Sequence, residues 1–410
     1  MLVPEEVFAK ERDFLEGFSG ETFVVERTIS KKLTRKFLLR PTSETVMYYM
    51  FSLWVTSYKD LPIKIYQTVN VFRYETEQTH PILRVREIIM FNEAHTVHSS
   101  LSDADRQISE AMEIYSKFFD ALLLPYVILK TPPWDTFAGA EYNYDFFTLM
   151  PDKKAIELGS VINLGQKFAR AFDIKFQDSD GEWKYAYQTC YGVSERVLGV
   201  LISVHGDNRG IIFPPAVAPI QIVIVPIPGE EIMDKILEKC KNIKDRLKKA
   251  GFRVHLDDRP ELTPGKKYYW WEFLGVPLRI EIGEKEVKEG KITIARRDIF
   301  KRVVILEELL EEEIKKLFSE ISKEMYRRAK EWFESNILTA TTIEEGMKIY
   351  NKNKGGILRF PWCGKDECGL KIEEETGLPA LGHNPNEKAT GKCVICDSDA
   401  KHYFYVGKKY

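Results

Sequence analysis

The sequence predicts an α+β fold in three parts, and three observations carry that prediction. Residues 1–215 mix an amphipathic helix with short β-branched and aromatic runs divided by turn signals, the pattern of a largely antiparallel sheet with helices. Residues 216–306 change rhythm to strand, helix, strand, helix, strand, strand, which spells a small α/β domain. Residues 307–410 open with a long charged helix and end in a unit rich in Gly, Lys and Cys that holds two cysteine pairs.

Composition sets the limits around that fold. The chain has 410 residues, 44% of them hydrophobic, and 60 Lys+Arg against 62 Asp+Glu for a net charge of −2. Such a chain can bury sizeable cores, and it is neither disordered nor collagen-like. No apolar run reaches the roughly 18 residues that span a bilayer, so no membrane partner is expected. The opening MLVPEEVFAKERDF has no apolar signal region, and six cysteines, four of them near the C-terminus, do not spell a disulfide framework. A reducing, cytoplasmic setting follows. Phosphate loops of the Gly-x4-Gly-Lys-Ser/Thr type, dinucleotide-binding glycine fingerprints and Gly-x-Ser-x-Gly elbows are missing.

Within the first part, 38–51 (LLRPTSETVMYYMF) reads as a strand ending at Pro41 and a helix opened by Thr42, Ser43 and Glu44. Strands are expected at 63–71, 88–91, 142–149 and 211–213. Arg73 and Glu75 stand two apart, on one face of a strand. A loop with His80 follows, then Arg84, Val85, Arg86 and Glu87. Opposite charges on one sheet face are costly unless they meet a ligand or each other. Ser102 reads as an N-cap with Asp105 three residues on, and Ile108, Met112, Tyr115, Phe119 and Leu122 form the stripe of the helix that follows. Pro214-Pro215 marks a boundary.

In the second part, 220–225 reads as a strand buried on both faces, and 230–250 as a charged helix stopped by Gly251. A strand at 253–256, a helix near 265–274 and strands at 278–282 and 291–295 complete it. In the third, Leu310, Ile314, Leu317, Ile321 and Met325 are the apolar stripe of a helix over 307–335. Cys363-x4-Cys368 and Cys393-x2-Cys396 offer four thiolates from two short chelating loops. That set makes a closed tetrahedral zinc site with no open position, hence a structural one. His383 and His402 are spare ligands, and Cys190 and Cys240 read as buried thiols.

Arg73-x-Glu75, the loop, and the returning Arg84 to Glu87 resemble motif 2 of the class II aminoacyl-tRNA synthetases. Arg-Pro-Thr-Ser-Glu at 40–44, and Tyr-Gln-Thr-Cys-Tyr-Gly leading to Glu195-Arg196, resemble the prolyl-tRNA synthetase family in its archaeal and eukaryotic-like branch. The similarity continues through 205–226, 255–267 and 272–283 to the zinc unit and Tyr410, and so covers essentially the whole chain. It implies a class II catalytic domain at 1–215, an anticodon-binding domain at 216–306, and a helical linker with a zinc-binding domain at 307–410. The implied activity is a proline–tRNA ligase in two steps: ATP and proline form prolyl-adenylate, and the prolyl group then passes to the tRNA 3′ end. A paralogue with altered amino-acid specificity and a catalytically weak tRNA-binding protein are the competing readings.

The same resemblance assigns residues. Arg73 and Arg196 are catalytic. Arg73 takes the α-phosphate and the amino-acid carboxylate, and Arg196 the terminal phosphates. Glu75, Arg84 and Val85 hold the ATP, with Glu157 and Ser160 beside the phosphates and Mg2+ sharing their charge. Thr42 and Glu44 grip the ammonium of L-proline; Phe91, Glu93, His95 and Ile162 line its pocket. Within the implied anticodon-binding domain, Arg296-Arg297 and Lys266-Lys267 are candidate contacts to the phosphates or bases of tRNA(Pro). The chain departs from the family at Glu157 (usually Gln), Ser160 (usually Thr), Ile162 (usually His) and Phe147 (usually acidic). Met1-Leu2-Val3-Pro4 resembles the end of motif 1. The helix that precedes it in the family, at the homodimer interface, is expected to be absent.

Overall fold

In the computed structural model the described residues are 1–10, 17–18, 20–74, 79–229 and 232–410. They form two compact units. One comprises Met1–Ser116, Tyr126–Val200 and Ser335–Tyr410, the other Lys117–Pro125 and Leu201–Glu334.

The first unit is built on a ten-stranded sheet. Its edge strand Ile63–Phe72 pairs with Glu87–His98, which pairs in turn with Tyr187–Val193. Beyond Tyr187–Val193 come Ala155–Gly165, Tyr142–Leu149 and Val127–Lys130. All of these pairings are antiparallel, as the turn signals between them predict. The sheet runs on through Ala380–His383, His402–Val406, Ile357–Trp362 and Ile337–Thr339, so C-terminal residues extend the same sheet. A smaller sheet of Leu2–Pro4, Lys32–Leu39 and Val24–Arg27 accompanies it. Tyr48 and Phe51, on the helix Glu44–Trp54, pack with Phe168 and Phe172 of the helix Lys167–Phe172 and with Val97, Ile162 and Leu164 of the sheet. All these side chains are at most 7% exposed. This cluster anchors the helix whose first turn faces the cavity described below.

The second unit carries a five-stranded mixed sheet in the order Val254–Leu256, Ile222–Pro226, Leu278–Ile282, Lys291–Arg296, Arg302–Leu306. Its first three strands are parallel and the rest antiparallel. Ile222–Pro226 is buried along its whole length, as its unbroken apolar run predicts. The stripe Leu310, Ile314, Leu317, Ile321 and Met325 of the helix Leu310–Ser335 joins the same core as Ile236, Cys240 and Ile243 of the helix Met233–Lys249.

Three local expectations are corrected, and one falls on a residue that is not described. The strand Ile63–Phe72 ends one residue before Arg73, so Arg73 extends from the chain just past the sheet. Glu75 lies outside the described residues. The helix Leu101–Ala121 starts before Ser102, and Ser100 does the capping: its Oγ accepts from the Asp103 amide at 3.2 Å. Residues 211–213 are not a strand. The Ile211 and Phe213 amides instead donate to the carbonyls of Phe273 and Gly275, around a helix end with no strand to pair. Among the described residues, no helix is long and apolar enough to cross a membrane.

Candidate active site

Four elements of the first unit enclose a cavity of about 180 Å³: the first turn of Glu44–Trp54 and the strands Glu87–His98, Ala155–Gly165 and Tyr187–Val193. Phe91, Glu93 and His95 alternate along one strand, so all three reach it from the same face. Cys190 sits directly between His95 on one neighbouring strand and Ile162 on the other, and lines the cavity with them. Thr42, Glu44, Arg73, Glu157, Ser160 and Arg196 complete the ring of expected residues.

One end of the cavity is acidic and closely hydrogen-bonded. Glu44 is in the first turn of its helix, where the helix dipole favours a carboxylate, and its Oε2 accepts from Thr42 Oγ1. Glu93 Oε1 accepts from Gln67 Nε2 at 2.8 Å, and the same amide nitrogen donates to Ser43 Oγ at 2.9 Å. Glu93 Oε2 lies 3.2 Å from His95 Nε2, and His95 Nδ1 lies 3.1 Å from Tyr48 Oη. Burial works against charge on both Glu93 and His95. Burial is the largest single influence on each, but the bond between them outweighs it when joined by the hydrogen bonds of Ser43 and Gln67 to Glu93 and by the charge of Glu44 near His95, so the Glu93 carboxyl is held below its ordinary value and the His95 imidazole above. The positive charge of Arg73 lies beside this acidic end. Its Nε donates to the Pro41 carbonyl at 2.8 Å, and its guanidinium rests 5.5 Å from the ring centres of both Phe18 and Phe91. Two aromatic faces hold the planar fork in one orientation.

Glu157 and Arg196 also line a second cavity of about 180 Å³, with Arg84, Asp145, Phe147, Lys409 and Tyr410. Arg196 begins the helix Arg196–His205, and its Nε donates to the Leu83 carbonyl at 3.0 Å. Arg84 Nε donates to the main-chain oxygen of Tyr410 at 2.8 Å. Val85 is half-buried next to Arg84 and lines neither cavity.

Asp145 is the residue that sequence reasoning missed. A bulge between Phe146 and Phe147 sets Asp145 opposite Ser160, and Phe147 opposite Glu157. Ser160 Oγ lies 2.5 Å from Asp145 Oδ1 and 3.1 Å from Glu157 Oε1, and Asn143 Nδ2 donates to Asp145 Oδ1 at 2.9 Å. Burial, then the charge of Glu157, push the Asp145 carboxyl up to about 8. The available signal was the alternation of Asn143 and Asp145 on a strand whose other end carries Phe147. Cys190 was missed as a pocket residue for a related reason: its partners lie on neighbouring strands.

Away from the cavity, the sulfurs of Cys363, Cys368, Cys393 and Cys396 lie within 4.8 Å of one another, and Cys363 and Cys396 are 3.7 Å apart. A zinc–sulfur bond of about 2.3 Å gives tetrahedral sulfur spacings of about 3.8 Å. The four cysteines fit that ion. His383 and His402 face each other at 5.0 Å and stand outside the cluster.

In the second unit, three of the expected tRNA-contacting cations are committed elsewhere. Arg296 pairs with Asp298 and Glu320, Arg297 is 3% exposed and pairs with Asp207, and the buried Lys267 donates to the Asp257 carbonyl. Buried cations need partners, and these have intramolecular ones. Lys266 is exposed. An open cavity of about 230 Å³ is lined by Arg296 together with Arg209, Tyr268, Tyr269, Arg279, Phe300 and Arg302, and Tyr269 is 70% exposed.

Comparison with known proteins bears on all three regions. Residues 23–205 match the tRNA synthetase class II core domain (G, H, P, S and T). Residues 221–323 match an anticodon binding domain, and 343–410 the prolyl-tRNA synthetase C-terminal family. The chain is 48% identical over 400 residues to the proline–tRNA ligase of Methanothermobacter thermautotrophicus, covering 98% of this chain and 82% of that one. It is 46% identical to that of Ignicoccus hospitalis, over its whole length and 86% of the relative. A Giardia lamblia prolyl-tRNA synthetase in complex with prolyl-adenylate superposes with a TM-score of 0.95 at 35% identity, covering 100% of this chain and 86% of that one.

Proposed function

Because the chain belongs to the prolyl-tRNA synthetase family of class II synthetases, we propose that its first cavity activates L-proline with ATP and that the prolyl group then passes to tRNA(Pro). The substrate carboxylate attacks the α-phosphorus, and pyrophosphate leaves. A hydroxyl at the tRNA 3′ end then attacks the carbonyl carbon of the adenylate, and AMP leaves. Neither step needs a covalent enzyme group. The chain supplies position and positive charge where phosphate charge develops.

The acidic end of the cavity carries this reading. A protonated secondary amine has two N–H donors, and Thr42 and Glu44 offer hydroxyl and carboxylate acceptors side by side. Phe91 and Ile162 suit an apolar ring, and the Glu93–His95 pair fixes the wall between them. Arg73 stands where the carboxylate and α-phosphate meet, and its clamped fork binds oxyanions bidentately. Arg84 and Arg196 face the remaining phosphates in the second cavity.

Asp145 and Glu157 offer the hard oxygen donors that Mg2+ prefers, and the ion, when bound, shares the phosphate charge. The four cysteines hold a structural zinc. Metal analysis of Cys396→Ser should show that zinc lost, and chelation should loosen the C-terminal residues first. We assign 1–215 to catalysis, 216–306 to anticodon reading and 307–410 to the linker and zinc unit, with the exposed arginines and aromatics of the second unit as the RNA-facing groups. The family's homodimer and a cytoplasmic setting belong to the same proposal.

Charging of tRNA(Pro) with labelled proline tests this function. Proline-dependent charging that falls when the anticodon guanines are replaced supports it. Equal charging of the altered tRNA, or none of either, counts against it.

A further inference from the structure

Three groups at the acidic end of the first cavity are also metal ligands. A carboxylate oxygen of Glu44, a ring nitrogen of His95 and the Cys190 sulfur lie within 4.8 Å of one another. All three side chains are at most 4% exposed, yet all line the cavity. We infer that this trio binds a borderline-soft divalent cation, Zn2+, in the place taken by the substrate's ammonium. The overlap with the ammonium rests on the function proposed above; the metal site does not.

One thiolate, one imidazole and one carboxylate are all zinc donors, and three protein ligands leave the fourth position open to the cavity. The surroundings match those of a metal-binding histidine. Glu93 Oε2 accepts from His95 Nε2–H at 3.2 Å, which leaves the lone pair on Nδ1. That edge of the ring faces Tyr48 Oη at 3.1 Å, and the Tyr48 hydroxyl also adjoins Cys190. A metal on Nδ1 takes the place of the hydrogen bond that the Tyr48 hydroxyl donates to it. The sheet fixes the spacing, because His95 and Cys190 are direct cross-strand partners, and Glu44 is held by the packed helix Glu44–Trp54. Two buried carboxylates, Glu44 and Glu93, favour a cation in this enclosure. Ammonium and Zn2+ are alternative ways to supply one. Metal binding displaces the Cys190 thiol proton. This trio shares no residue with the four-cysteine cluster.

The test uses the full chain with its cysteine cluster filled, titrated with Co2+ as the probe. Metal content and cobalt–thiolate absorption are the readouts. Wild-type protein should take up one equivalent beyond the cluster. Cys190→Ser should lose that equivalent, and Cys240→Ser, a buried thiol far along the sequence in the second unit, should keep it. Excess L-proline should displace the extra metal, while D-proline, which chelates cobalt equally in solution, should not. Uptake that stops at the cysteine cluster, or a Cys190→Ser protein that retains the extra equivalent, overturns the site. If Cys190→Ser does not fold, the wild-type metal count and the L-proline displacement decide. Metal lost on Cys190→Ser but not displaced by L-proline supports the site and overturns its overlap with the ammonium. Metal bound and displaced in a protein without proline-dependent activity supports the site while the proposed function fails.

Discussion

The two cavities of the first unit meet at Glu157 and Arg196 but treat charge in opposite ways. At the end proposed for the amino acid, each carboxylate has a dedicated donor: Thr42 for Glu44, and Gln67 and His95 for Glu93. At the end proposed for the phosphates, Asp145 and Glu157 share one hydroxyl, that of Ser160, and Asp145, although it also accepts from Asn143, is driven toward its neutral form by burial and the charge of Glu157. Phe147, Glu157 and Ser160, three of the four residues at which the resemblance implies a departure, line or adjoin this second end. A satisfied carboxylate is a preformed seat for a cationic substrate group. A crowded pair is a site that waits for a metal or a proton.

Four predictions break or sharpen that contrast. The largest effect is expected beside the acidic end of the first cavity. Arg73→Ala should lower proline-dependent pyrophosphate exchange by ~10²–10³-fold, with an unchanged melting transition. Near-normal exchange in the folded variant would remove Arg73 from the transition state. Next, Glu44→Gln should raise KM for proline, because a hydrogen bond to a charged group contributes about 1.5–3 kcal/mol, roughly 10- to 150-fold. If KM for ATP rises instead, Glu44 belongs to the nucleotide.

The third prediction separates the two ends by pH. The folded Asp145 carboxyl, at about 8, lies above its ordinary 3.8. Its contribution to stability is therefore present below 3.8 and is lost as pH rises toward 8. Magnesium needs the ionised form, so the concentration required for exchange should fall as pH rises, by up to roughly tenfold per unit below the folded pKa. Asp145→Asn should flatten that dependence, and Glu157→Gln should flatten the dependence on magnesium itself. A pH-independent magnesium requirement in the wild type would dissolve the contrast. The smallest effect is at Ile162. A neutral hydrogen bond is worth ~0.5–1.5 kcal/mol, so Ile162→His should improve KM for proline by roughly 2- to 10-fold. Loss of activity would show that the apolar packing of Ile162 with Leu164 and Cys190 matters more.

Much of the architecture was legible because it repeats locally. The stripe of the helix Leu310–Ser335, the buried run at Ile222–Pro226 and the alternation of Phe91, Glu93 and His95 are periodic in sequence, and the structure buries or aligns them as that period dictates. The cysteine pairs were legible because chelation needs short spacings. What escaped depends on neighbours far along the chain. Asp145 meets Glu157 only through a bulge, and Cys190 meets His95 and Ile162 only through strand register. Arg296 and Arg297 look like free cations in sequence, but Asp298 and Asp207 neutralise them in the fold. Where the chain leaves the sheet, as at Arg73, the strand period no longer says which way a side chain points.

Pyrophosphate exchange with a panel of amino acids tests the central claim most directly. The preformed acidic seat, apolar wall and clamped Arg73 predict exchange that depends on ATP and L-proline and exceeds that with any other amino acid. Exchange driven by another amino acid, or none with any of them in folded protein, would contradict the account.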